Sequence, residues 1–129
     1  MNDDGNAQGS IVAATAFSGP SVMATAARAF GLPAGAGAPR DVDFRDPDGP
    51  MPAALSYSFD VTAAPEAVLD HYRAACRAHG LSSPPSAAEL AREPGLLCAG
   101  PFENRGEIGV QVVPKCTGDR CSVYVEISG

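Results

Sequence analysis

At 129 residues and a formal charge of −6, this chain has room for one hydrophobic core, and its sign is wrong for long-range attraction to a phosphate backbone or an anionic membrane. No stretch approaches the roughly 20 apolar residues that a membrane-spanning helix needs. Neither a nucleic-acid partner nor an integral membrane segment is therefore expected, and the first six residues, Met1 to Asn6, lack the basic and then apolar regions of a signal peptide.

In chain order, residues 1–9 are small and polar and read as a mobile tail. Residues 10–129 read as a single α+β domain. Residues 11–17 have β-compatible ends around several alanines and predict a short strand, although alanine is a poor strand former. Over 21–30, Ser21 can cap a helix whose stripe is Val22, Met23, Ala26 and Phe30, and Gly31, Leu32 and Pro33 stop it. Residues 33–52, rich in Gly, Pro and Asp, read as a loop within the domain.

The pattern sharpens from Leu55. There, Leu55, Tyr57, Phe59 and Val61 alternate with Ser56, Ser58, Asp60 and Thr62, the period of a strand with one buried face. Pro65 opens a helix where its missing N–H costs nothing, with Val68, Leu69, Tyr72, Ala75, Cys76 and His79 on one face; Gly80 and Leu81 close it. After a Ser/Pro-rich loop, 87–92 predicts a helical turn and 95–99 a short strand. Two alternating runs follow. Ile108, Val110 and Val112 form one apolar set, and Cys121, Val123, Val125 and Ile127 the other, with turns at 101–105 and 117–120. The expected architecture is β-α-β-β-β, one main helix on an antiparallel sheet, with a short extra N-terminal helix.

The cysteines can be set against that geometry. Placing Cys116 opposite Cys121 also sets Pro114 against Val123, Val112 against Val125 and Val110 against Ile127, all on the apolar face. A slip of one residue would oppose apolar to polar residues, so the core and the cysteines demand the same register. Opposed residues at a non-hydrogen-bonded position have the Cα separation a disulfide accepts, and Pro114 then turns its missing N–H outward, as on an edge. Cys76, on the core face of the helix, and Cys98, in the short strand, remain to staple helix to sheet. A loop of that length contributes on the order of 3 kcal/mol in the chain-entropy model. An even cysteine count with this pairing favours a periplasmic or secreted protein over a cytoplasmic one, in which four reduced cysteines would act as small core hydrophobes. Zinc would need tight knuckles, which the Cys116 to Cys121 spacing does not supply.

Catalytic signatures are missing from the sequence. His71 and His79 read as packing or capping residues of the helix, no serine lies in a nucleophile elbow, and Asp46 and Asp48 lack the further ligands of a calcium loop. No cofactor is expected, no metal site and no enzyme.

The run Phe59, Val61, Pro65, Glu66, Val68, Leu69, Tyr72, Arg73, Gly80 and Leu81 resembles the strand and helix of small exported bacterial domains, often lipoproteins, over residues 55–81. That resemblance implies an exported accessory or binding domain. The strand-helix-strand-strand-strand order, with Tyr72 and Arg73 on its helix, also resembles one module of the vicinal oxygen chelate superfamily. This second resemblance implies a ligand- or metal-binding protein acting as a dimer, with ligands from the first and last strands. Glu126 would serve on the last strand, but the first strand has no histidine.

The remaining expectation is a protein-binding role, of accessory or of inhibitor and immunity type. One candidate surface is the turn carrying Phe102, Asn104 and Arg105, since aromatic and arginine side chains are enriched at binding hot spots. Phe102 folding back over the core is the competing expectation. The other candidate is the solvent face of the sheet, with Gln111, Tyr124 and Glu126, provided the N-terminal helix leaves it uncovered.

Overall fold

The computed structural model describes residues 17, 19, 21–49 and 52–129; the tail expected over 1–9 and nearly all of the strand expected over 11–17 lie outside them. Strand β1 spans Arg40–Arg45, β2 Ala54–Thr62, β3 Cys98–Pro101, β4 Glu107–Thr117 and β5 Arg120–Ser128. They form one antiparallel sheet in the order β1-β2-β5-β4-β3. Helices α1 (Val22–Phe30) and α2 (Pro65–Ala78) pack on one of its faces, and the short α3 (Ala87–Arg92) precedes β3. This is an α+β architecture.

Alternation builds the covered face. Leu55, Tyr57, Phe59 and Val61 of β2 and Cys121, Val123, Val125 and Ile127 of β5 are all buried, and Ile108, Val110 and Val112 of β4 join them. From above come Met23, Ala26, Ala27 and Phe30 of α1 and Val68, Tyr72 and Cys76 of α2. Burying a side chain of this size contributes about 1.5–3 kcal/mol, so this layer supplies most of the driving force for folding. Two of its members are tyrosines whose hydroxyls lie 3.2 Å apart, Tyr57 on the sheet and Tyr72 on α2. A buried phenol needs a partner, and here each supplies the other's.

Helix ends follow local chemistry. Ser21 Oγ accepts from the Ala24 N–H at 3.1 Å at the start of α1. At the end of α2 the Leu81 N–H donates to the Cys76 carbonyl at 2.9 Å and the Gly80 N–H to the Arg77 carbonyl at 3.1 Å. These two bonds make a Schellman motif, and Gly80, at φ 81°, takes the left-handed conformation it requires.

Two sequence expectations need correction. Residues 33–52 are not wholly a loop, because β1 pairs with β2 through Asp43–Ser56, Phe44–Leu55 and Arg45–Ala54. An edge strand needs no continuous apolar face, so four charged residues in Arg40–Arg45 are tolerated, and a bulge between Arg40 and Asp43, with Asp41 at φ 54°, breaks the register. The short strand runs over Cys98–Pro101 and not 95–99. Leu96 instead crosses Gly109 of β4, where a Cβ would stand 2.8 Å from Leu96 Cδ2, so that approach depends on the missing side chain.

Candidate functional site

The face of the sheet turned away from α1 and α2 is the candidate site. Its side chains come from the alternate positions of four strands: Arg40 and Asp43 of β1, Ser56, Ser58 and Asp60 of β2, Ser122, Tyr124 and Glu126 of β5, and Gln111, Val113 and Lys115 of β4. At its centre Tyr124 stands between Ser58 and Val113, which are its directly opposed neighbours. Tyr124 is 39% exposed and Val113 42%. Two apolar side chains of that size, adjacent at outward positions of β5 and β4, leave surface that the fold does not use.

Around this pair the face is polar and internally ordered. The Tyr124 hydroxyl donates to Glu126 Oε1 at 2.7 Å. Partial burial and then the Glu126 carboxylate raise the phenol above its ordinary value. Arg40 ties β1 to the centre, donating to Ser122 Oγ at 2.9 Å and pairing with Asp60 at 3.1 Å. At the opposite corner, Gln111 donates to Glu93 Oε2 at 3.2 Å and Leu96 lies over Gly109, so the segment after α3 caps only that end. Clefts of about 390 and 360 Å³ open at two corners, one beside Glu89, Arg92 and Leu96, the other beside Asp60, Lys115 and Arg120. Neither pairs a nucleophile with a histidine base.

Of the two expectations for Phe102 in the turn from β3 to β4, the structure meets the folded-back one. Phe102 is fully buried, with its ring centroid 5.9 Å from Phe30 and 5.2 Å from His79, so it is a core residue and not a presented anchor. Of the three candidate residues in this turn, Asn104 and Arg105 stay exposed. Glu103 and Asn104 both have positive φ, 47° and 58°, and the Arg105 N–H donates to the Phe102 carbonyl at 2.9 Å. Phe102 continues the alternation of Cys98 and Gly100, whose opposed residues Val110 and Ile108 are buried, and so turns to the covered face before the chain reverses. Glu107, just past this turn, lies six steps along β4 from Val113, roughly 20 Å at the rise of a strand, so turn and open face are separate surfaces.

The cysteines occupy both expected pairings: Cys76 is bonded to Cys98 with a Cα separation of 6.4 Å, and Cys116 to Cys121 with 4.0 Å. The second joins an opposed pair of β4 and β5 in the register Val110–Ile127, Val112–Val125, Pro114–Val123.

The histidines serve structure. His71 Nε2 donates to the Phe30 carbonyl at 3.0 Å, tying α2 to the end of α1, and burial holds its imidazole below the ordinary value. His79 Nδ1 lies 3.5 Å from Glu103 and its ring meets Phe30 and Phe102. In the covered layer, burial drives the phenols of Tyr57 and Tyr72 well above their usual range, which keeps both protonated as hydrogen-bond partners. Among the described residues no group of three or more His, Cys, Asp or Glu could hold a metal, and Glu126 accepts from Tyr124.

Val113 and Arg40 were not singled out by sequence reasoning. Val113 had a signal, an apolar residue at an outward position of an otherwise alternating strand. Arg40 had none, because its strand was hidden in a charged, Gly/Pro-rich stretch. No family model, curated protein sequence or solved structure matches this chain.

Proposed function

We propose that the chain is an exported, non-catalytic binding domain that docks a protein partner against the open face of its sheet. The observation that carries this reading is the uncovered centre of that face, where Tyr124 and Val113 stand side by side in a setting of short polar side chains. A rigid aromatic beside an aliphatic contact, rimmed by hydrogen-bonding groups, has the anatomy of a protein interface. Export is supported by the disulfides: a chain long enough to fold unaided nevertheless ties all four cysteines into bonds between separate elements, and such bonds persist in oxidising compartments. No described helix is long and apolar enough to cross a membrane.

The test uses the chain in its native host. A photoreactive residue replacing Val113 is expected to crosslink to one defined protein, while the same residue at Arg77, exposed on α2, is not. Chain recovered without reductant is expected to titrate no thiol. Adducts from position 77 alone would refute the binding reading, and four titrating thiols the export reading.

A further inference from the structure

The two disulfides differ in what can reach them. Cys76 and Cys98 are fully buried where α2 meets β3. In the second bond Cys121 is 2% exposed, yet Cys116 lies in the exposed run at the end of β4. Thiol–disulfide exchange requires a thiolate to approach one sulfur in line with the bond that breaks. The Cys116–Cys121 bond runs across the hairpin from β4 to β5. Attack on Cys121 Sγ must therefore come from the far side of β5, where β2 lies and Val61 is its opposed residue. Attack on Cys116 Sγ comes from the far side of β4. Among the described residues no strand pairs with β4 on that side beyond Val110, because β3 pairs with it only from Glu107 to Val110.

From this asymmetry we infer that Cys116 is a site of reversible S-thiolation, at which a thiolate opens the hairpin disulfide regiospecifically while the fold stays intact. The thiolate R–S⁻ attacks Cys116 Sγ, the Cys116–Cys121 bond breaks, R–S–S–Cys116 forms, and Cys121 leaves as a thiolate that takes a proton from solvent. The new Cys121 thiol has an acceptor in place, since its sulfur lies 3.2 Å from the Ala63 carbonyl oxygen. The register survives opening because the buried pairs Val110–Ile127 and Val112–Val125 hold it independently. With the two Cα atoms held 4.0 Å apart, the Cys121 thiol loses its proton and attacks Cys116 Sγ, the R–S–S–Cys116 bond breaks, R–S⁻ leaves and the hairpin disulfide is restored. Cys76–Cys98 takes no part until the core opens. This inference stands on the geometry of the hairpin and does not depend on what the open face binds.

The test is exchange of the folded protein with reduced glutathione, quenched with acid and mapped by peptide mass spectrometry. The expected product carries glutathione on Cys116 and a free thiol at Cys121, with Cys76–Cys98 intact and the circular dichroism spectrum unchanged. With oxidised glutathione, a Cys121→Ser variant is expected to become glutathionylated at Cys116 at least tenfold faster than a Cys116→Ser variant does at Cys121. Glutathione on Cys121, simultaneous loss of both disulfides, or no exchange until urea unfolds the chain would each overturn the inference. If either variant misfolds, the map of the unsubstituted protein alone decides.

Discussion

The two faces of this sheet are built from the same strands, and they differ in every property that separates stability from recognition. On one face, Tyr57, Phe59, Val110, Val123, Val125 and Ile127 are sealed beneath α1 and α2, with the Tyr57 hydroxyl partnered by that of Tyr72. On the other, one residue away along each strand, serines, charges and the exposed Tyr124 and Val113 face outward. The contrast teaches that the folding requirement is met by one face alone, so the apolar content of the other needs a different explanation. A binding role for the open face is our reading of that surplus.

Substitutions on the covered face give the largest effect and would break the comparison if they did not. Phe59→Ala removes a fully buried ring and is expected to cost about 3–5 kcal/mol in urea unfolding. Replacing both Cys76 and Cys98 by alanine opens a loop with a sequence separation of 22 and is expected to cost about 3 kcal/mol, against about 2 kcal/mol for the five-residue separation of Cys116 and Cys121. The order of the two losses, read as denaturation midpoints of the two double variants, checks the loop-length argument. Tyr57→Phe leaves the Tyr72 hydroxyl buried without its partner and is expected to cost about 1–3 kcal/mol. Adding Tyr72→Phe removes the orphan, so a double-mutant cycle should show the pair costing less than the sum of its single changes.

A smaller effect concerns pH. Burial sets the folded-state value of His71 below that of the unfolded chain, so between the two values the unfolded chain binds more protons. Stability contributed by the neutral imidazole is complete above about 6.5, the unfolded value, and is lost as pH falls through the lower folded value. His71→Gln should flatten the decline of the thermal midpoint between pH 7 and 5. A steeper decline in the variant would show that burial is not what governs this histidine.

Much of the covered face was legible in the sequence because alternation at period two and the helical stripe of α2 are both direct consequences of burial. The hairpin register was legible for the same reason: Val110, Val112, Val125 and Ile127 had to face one core, and that choice aligned Cys116 with Cys121. What burial does not dictate was harder to read. β1 is an edge strand whose Val42 and Phe44 remain exposed, so its sequence carries no core signal. Phe102 was ambiguous because a turn aromatic can point either way, and its parity with Cys98 and Gly100, in a strand whose bounds the sequence does not fix, decides its direction. The open face could be named only conditionally, because nothing in the sequence of α1 says which side of the sheet it covers.

The most direct measurement of the division between the faces is the urea midpoint of a Val113→Ser/Tyr124→Ser double variant. Cross-strand contacts of this kind contribute about 0.2–1 kcal/mol, so the stability given by midpoint and slope should stay within that margin of the parent, with the slope unchanged. A loss comparable to that of Phe59→Ala would show that the open face holds the fold together, and the account of a surface left over for a partner would be contradicted.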